Sequence, residues 1–212
     1  MNKTKNIIIL GGGQAGAYAA KEIRQVDSNS NLKIISEENS LPYERPPLSK
    51  DCLLDKMNYK QCLFFPIEFY KKNNIEVICN EKVSKVDFVN NKIITVKKNQ
   101  FNYNKLLITT GSTNRTLKVD GLNHSNEKGI IYLRNIHDSQ SIKERLKISN
   151  KILIIGGGFI GLEIASAASQ LGKEVTIVEM GDQLMGRIIP KEIANLVQRV
   201  HEQKGNKFYL KT

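Results

Sequence analysis

The sequence predicts an α/β fold assembled from two copies of one strand, turn, helix and strand unit, and three observations carry that prediction. Two short apolar runs, Ile7 to Leu10 and Lys151 to Ile155, each end in three consecutive glycines. Small residues at helical spacing follow each triplet, and a second apolar run follows each helix. From Gly11 to Gly156 the offset is 145 residues, which suits duplicated domains and not a short-period solenoid.

Taken in order, Ile7-Ile8-Ile9-Leu10 is a β-branched run closed by glycine, the pattern of a strand buried on both faces of a parallel sheet. Ala15, Gly16, Ala17, Ala19, Ala20 and Ile23 predict a helix from Gly13 to about Val26, ended by the turn-rich Asp27 to Asn31. Leu32 to Ile35 completes a βαβ unit. Glu76 to Cys79, Lys82 to Phe88 and Lys92 to Val96 read as strands of a meander, with Asn90-Asn91 as a tight turn. Leu106 to Thr109 is a further strand, running into Thr110 and Gly111. In the second copy a helix is expected to about Gln170, then a strand from Val175 to Val178, a helix from about Pro190 to Gln203, and a strand from Lys207 to Leu210. The predicted division is 1–113 and 114–212, with a loop over Asn123 to Gly129 and a helix over Asp138 to Leu146 at the join. The second unit is expected to be incomplete, without the later strands of a full doubly wound sheet.

With 40% hydrophobic and 25% charged residues the chain has a globular composition. The apolar run behind the basic start is too short for a signal peptide, and no run spans a bilayer, so a cytoplasmic protein without a membrane partner is expected. Cys52, Cys62 and Cys79, at spacings of 10 and 17, match neither a disulfide framework nor a zinc site, so reduced thiols and no metal are expected. The net charge of +11 comes from scattered lysines, such as Lys71-Lys72 and Lys97-Lys98, beside asparagines in predicted turns. No dense basic run with interleaved aromatics favours a nucleic-acid partner.

Gly11-Gly12-Gly13-Gln14-Ala15-Gly16 fits the G-x-G-x-x-G pattern of a Rossmann-like dinucleotide site. Gly11 makes the tight turn, Gly13 lets a pyrophosphate approach the helix N-terminus at Gln14 and Ala15, and Gly16 lets the helix pack on the strand. An acid for the ribose hydroxyls follows at Glu37, 21 residues after Gly16, with Glu38 as its competitor. Gly156-Gly157-Gly158-Phe159-Ile160-Gly161 repeats the pattern, with Glu179 18 residues past Gly161. A carboxylate there favours NAD, because it repels the 2′-phosphate of NADP.

Leu41-Pro42-Tyr43-Glu44-Arg45-Pro46-Pro47-Leu48-Ser49-Lys50 is a stiff segment, since its prolines forbid a regular helix or central strand until Pro47 is passed. It is read as delivering Arg45 toward a pyrophosphate and Lys50, near the start of a helix, toward the cofactor ring.

This run, behind GGGQAG and followed by GGGFIGLE, resembles the ferredoxin–NAD reductases of aromatic-ring dioxygenases over essentially the whole chain. The resemblance implies FAD in the first site and NAD in the second, with hydride passing from NADH to FAD and single electrons then passing to a two-iron ferredoxin that feeds a dioxygenase. Carried over by residue, it implies that Glu37 holds the FAD ribose, that Arg45, Lys50 and Arg134 contact its phosphates and flavin, and that Val83 places a backbone group near the adenine. Thr110 and Gly111 are assigned to the same cofactor. Glu179 takes the NAD ribose with Arg187 close by, and Glu163 faces Lys50 across the two reacting rings. An acid at Glu163 also has a plainer explanation in the helix macrodipole.

Two other readings stay open. Cys52 lies two residues beyond Lys50, as an NADH oxidase or coenzyme A disulfide reductase with a single cysteine would need, although a bystander thiol is favoured. Members of the resembled family continue past the point matching Thr212, so a truncated, inactive nucleotide-binding fragment with exposed apolar sheet edges is the other.

Overall fold

The computed structural model describes residues 4–120, 129–186 and 188–212. The predicted loop over Asn123 to Gly129 lies outside the described residues except for Gly129, and Arg187 lies outside them too. Two compact units result, Met1–Glu44 with Lys60–Thr113, and Arg45–Tyr59 with Asn114–Thr212.

In the first unit, β1 (Asn6–Leu10), α1 (Gln14–Val26) and β2 (Asn31–Ile35) form the predicted βαβ unit. Adding β3 (Ile75–Ile78) and β7 (Lys105–Ile108) gives a parallel sheet of order β3-β2-β1-β7. The continuous apolar run in β1 follows from burial on both faces. Ile9 packs with Ala20, Leu32, Ile34, Tyr70 and Ile75, while Ile8 and Leu10 pack with Ile35, Ile93 and Tyr103 on the other side.

The meander consists of β4 (Val83–Asp87), β5 (Lys92–Thr95) and the short β6 (Gln100–Asn102), all antiparallel. Three residues with one apolar member carry no strand periodicity, so β6 was not legible in the sequence. The tight Asn90-Asn91 turn is corrected to a longer connection over residues 88–91, where the Asp87 carboxylate accepts the backbone N–H groups of Val89 and Asn90. The turn predicted at Lys71-Lys72 is the end of a helix, α2 (Ile67–Lys72). Its Tyr70 is buried against Phe65 and Phe69, an aromatic cluster that outweighs the local turn signal.

In the second unit, β8 (Lys151–Ile155), α4 (Phe159–Gln170), β9 (Glu174–Glu179), α5 (Lys191–Gln203) and β10 (Lys207–Leu210) build a parallel sheet of order β10-β9-β8. α3 (Ile136–Ile148) precedes it, opened by a capping box in which Asn135 and Asp138 exchange side-chain bonds with backbone N–H groups. Arg45–Tyr59 groups with this unit because Leu53 joins the core of Ile142, Ile154, Ala168 and Val175.

Both parallel sheets have an apolar edge among the described residues. Ile108 of β7 is 54% exposed, and Leu153 and Ile155 of β8 are 61% and 57% exposed.

Candidate functional site

Both glycine turns are built alike. Gly11 and Gly156 adopt φ of +107° and +106°, conformations that L side chains rarely reach, so each strand turns sharply into its helix. A Cβ on Gly16 would meet the carbonyl oxygen of Gly11 at 2.2 Å, and one on Gly161 would meet that of Gly156 at 2.2 Å. At Gly13 and Gly158 the opposite holds, with nothing within 4 Å of an added Cβ. Each of these two glycines is a helix N-cap whose side-chain position satisfies no donor. The leading N–H groups at Gln14 and Ala15, and at Phe159 and Ile160, therefore border open space, the arrangement that receives an anion.

The two acids are not equivalent, although the sequence pattern pairs them. Gly11 N–H donates to Ile35 O and Gly156 N–H to Val178 O, both at 2.8 Å. The counterpart of Glu179 is thus Ser36, whose Oγ lies 2.8 Å from a Cβ added to Gly12, as Glu179 Oε2 lies 3.3 Å from one on Gly157. Glu37 comes one residue later, beyond the end of β2, and pairs with Lys82 at 2.7 Å. Glu38 accepts from the Tyr43 hydroxyl.

Glu179, the last residue of β9, accepts the N–H of Gly157 on one oxygen and that of Gly181 on the other, both at 2.7 Å. Met185 N–H donates to Gly157 O at 3.0 Å, and Leu184 is fully buried beside that glycine. The loop after β9 is thereby fastened to the second glycine turn, a role for 181–186 that no sequence signal indicated. In the first unit Thr109 does related work. Its hydroxyl reaches Leu10 O at 2.9 Å and Gly11 O at 3.1 Å, just before the exposed Thr110 and Gly111. Val83 opens β4, half-buried against the meander core.

Arg45 opens a short 3-10 turn, Pro46–Ser49, in which the prolines occupy the first helical positions. Lys50 ends this turn, which corrects the expectation that it stands near a helix start. The turn is tied to α3: Ser139 Oγ donates to Leu48 O at 2.7 Å, and the Tyr59 hydroxyl donates to Ser139 Oγ at 3.3 Å. Burial pushes the Tyr59 phenol up from its ordinary value. The guanidinium of Arg45 donates to the backbone carbonyl of Arg134, whose N–H is taken by Asp138 at 2.8 Å.

These elements close on a cavity of about 280 Å³ lined by Arg45, Lys50, Leu133, Arg134, Ile160 and Glu163 among others. Within it Lys50 Nζ lies 2.8 Å from Glu163 Oε1, a direct ion pair, where the sequence resemblance implied that the two face each other across the reacting rings. Glu163 is the fifth residue of α4 and lies outside its first turn. The macrodipole acts within that first turn, so it does not account for the acid. Ser49, which sequence reasoning passed over, donates its hydroxyl to Glu163 Oε2 at 2.5 Å.

No disulfide joins the cysteines: Cys52 and Cys62 are buried and Cys79 is half-buried. Burial raises the Cys79 thiol above its ordinary value. Cys52 is wholly inaccessible, which denies it the exposure a reacting thiol requires. Among the described residues no group of His, Cys, Asp and Glu could hold a metal ion, and no helix is long and apolar enough to cross a membrane.

A parallel strand, a glycine turn and a helix with a bare N-terminus, present twice, define a protein with two dinucleotide-binding units. The chain belongs to the pyridine nucleotide-disulphide oxidoreductase family, whose model matches residues 5–212. It is 36% identical over 205 residues to a rubredoxin-NAD(+) reductase of Pseudomonas putida, covering 96% of this chain and 52% of that protein. It is 35% identical over 210 residues to the 3-phenylpropionate/cinnamic acid dioxygenase ferredoxin–NAD(+) reductase component of Photorhabdus laumondii, covering 99% of this chain and 52% of that protein. Among solved structures, that of a covalent putidaredoxin reductase–putidaredoxin complex matches with a TM-score of 0.93 and 25% identity, over 100% of this chain and 51% of the other. The chain spans about half the length of the curated relatives it matches. Proteins of this family depend on FAD and NAD, and the open backbone cradles at Gly13 and Gly158 fit the pyrophosphates of such cofactors.

Proposed function

We propose that the chain forms the nucleotide-binding part of an NADH-dependent flavoprotein that delivers electrons to a small iron–sulfur protein. The observation that carries this reading is the Lys50–Glu163 pair in the cavity beside the second glycine turn. A pocket that only held a nucleotide would not need an opposed acid and base there. FAD, when bound, takes two electrons as hydride from NADH and releases them singly.

The chain's own residues supply binding and electrostatics. Gly11, Gly13 and Gly16 shape the FAD turn, with Glu37 at its ribose. Arg45, Lys50 and Arg134 present cationic side chains for the flavin and its phosphates. Gly156, Gly158 and Gly161 shape the NAD turn, and Glu179 excludes a 2′-phosphate there. A two-iron ferredoxin feeding an aromatic-ring dioxygenase is the preferred acceptor. The relative named as a rubredoxin-NAD(+) reductase supports rubredoxin as the second choice.

An absorption spectrum of the purified chain, before and after anaerobic NADH, tests the reading. A flavin spectrum that NADH bleaches, with slower bleaching in Glu163→Gln, is the expected result. A yellow protein whose spectrum NADH leaves unchanged would support a binding fragment without turnover. A colourless chain that binds neither nucleotide would favour the truncated-fragment reading and refute turnover by this chain.

A further inference from the structure

The Lys50–Glu163 pair leaves one carboxylate oxygen over, and Ser49 takes it. Lys50 Nζ meets Oε1 at 2.8 Å while Ser49 Oγ meets Oε2 at 2.5 Å, so two consecutive residues grip both oxygens of an acid far along the chain. Ser49 is 3% exposed, whereas the Lys50 side chain is 46% exposed. The lysine contact is therefore shared with water and the serine contact is not. A serine hydroxyl has a single proton to donate, and the competing acceptor, Pro46 O, stands at 3.3 Å. The anionic oxygen at 2.5 Å is the stronger acceptor of the two. The turn that carries Ser49 is itself fixed, with Leu48 buried and its carbonyl held by Ser139 of α3.

We propose that Ser49 is a positioning residue that locks the Glu163 carboxylate, so that its orientation beside the second glycine turn is set before NADH arrives. The cavity role of Glu163 rests on the function proposed above, whereas the lock itself does not. A carboxylate held only by a half-exposed lysine keeps rotational freedom, and every rotamer lost on binding weakens the ligand. The buried hydroxyl removes that freedom within the fold. No covalent step is assigned to Ser49.

A double-mutant cycle of Ser49→Ala and Glu163→Gln decides the matter with two readouts on the full chain. In thermal melts without nucleotide, the two single substitutions are expected to couple, the double variant losing clearly less than the sum. In fluorescence titrations with NADH, Ser49→Ala is expected to bind about three- to tenfold more weakly, the size of one ordinary net hydrogen bond. Ser49→Thr, which keeps the hydroxyl, is expected to recover most of that loss. Additive melts would overturn the lock. Coupled melts with unchanged NADH affinity in Ser49→Ala would overturn its part in binding. A wild-type chain that binds no NADH would refute the functional reading instead, and the melts alone would then decide the lock.

Discussion

Glu179 and Gly157 stand 22 residues apart at the carboxyl ends of two adjacent parallel strands, and the carboxylate of the first accepts the backbone N–H of the second at 2.7 Å. The other oxygen takes Gly181 N–H at the same distance, so the acid already acts as a structural clamp. Replacing it with glutamine turns an acceptor into an NH₂ group facing an N–H. Glu179→Gln is expected to cost about 1–3 kcal/mol of stability, read from urea unfolding. An unfolding midpoint equal to wild type would show that the acid serves the ligand alone.

The glycines of each turn divide into two kinds. A Cβ at Gly161 would overlap Gly156 O, whereas one at Gly158 would meet nothing within 4 Å. Gly161→Ala is expected to destabilise by roughly 2–4 kcal/mol through overpacking against backbone. Gly158→Ala is expected to melt within a few degrees of wild type yet bind NADH about tenfold or more weakly, because the methyl group occupies the approach to the helix N-terminus. The pair Gly16→Ala and Gly13→Ala is expected to show the same contrast for FAD, measured by flavin retention. Equal melting losses at both positions of a pair would contradict this division.

Arg24 holds the first unit together from the end of α1. Its guanidinium donates to the carbonyls of Asn73, Asn74, Asp27 and Ser30 at 2.6–3.0 Å, joining the turn after α1 to the turn before β3. Lysine cannot reproduce this fork. Arg24→Lys is expected to lose about 1–3 kcal/mol, with raised amide exchange at Asn73 and Asn74 as the local signature. Unchanged exchange there would remove Arg24 from this role.

His201 makes stability depend on pH. Burial pushes its imidazole below the ordinary value of 6.5. Asn206 Nδ2 lies 2.9 Å from its Nδ1, while Asn206 Oδ1 is occupied by the Ser169 hydroxyl. An amide nitrogen only donates, so Nδ1 must be unprotonated, and a proton there would break the contact. The unfolded chain takes up the proton first, so this contribution is full above the unfolded value. It is lost as pH falls from 6.5 toward the lower folded value. Melting temperatures at pH 7.5 and pH 5 are expected to differ more for wild type than for His201→Gln. Equal pH dependence in the two would exclude His201 as the cause.

Much of the fold was legible because its determinants are local. A glycine triplet after a β-branched run dictates a turn, and small residues at helical spacing dictate a helix that packs closely on its strand. β8 and β10 lie where the apolar runs placed them, and α1 and α4 begin one residue after the glycine turns. α2 was missed because its stability comes from burying Tyr70 among aromatics. The facing of Lys50 and Glu163 came from a family likeness, since nothing in the spacing of two residues 113 apart specifies a contact.

The sequence by itself determined the two nucleotide turns, their strands and helices, and the residue types available to each site. Only the tertiary structure decided that Arg45–Tyr59 packs with the second unit, that Ser36 and not Glu37 matches Glu179, and that Ser49 closes the grip on Glu163. The reason is physical. Turn and helix preferences act between neighbours along the chain, whereas burial of Leu53 and the sharing of a carboxylate's two oxygens depend on side chains that meet only once the sheets have formed.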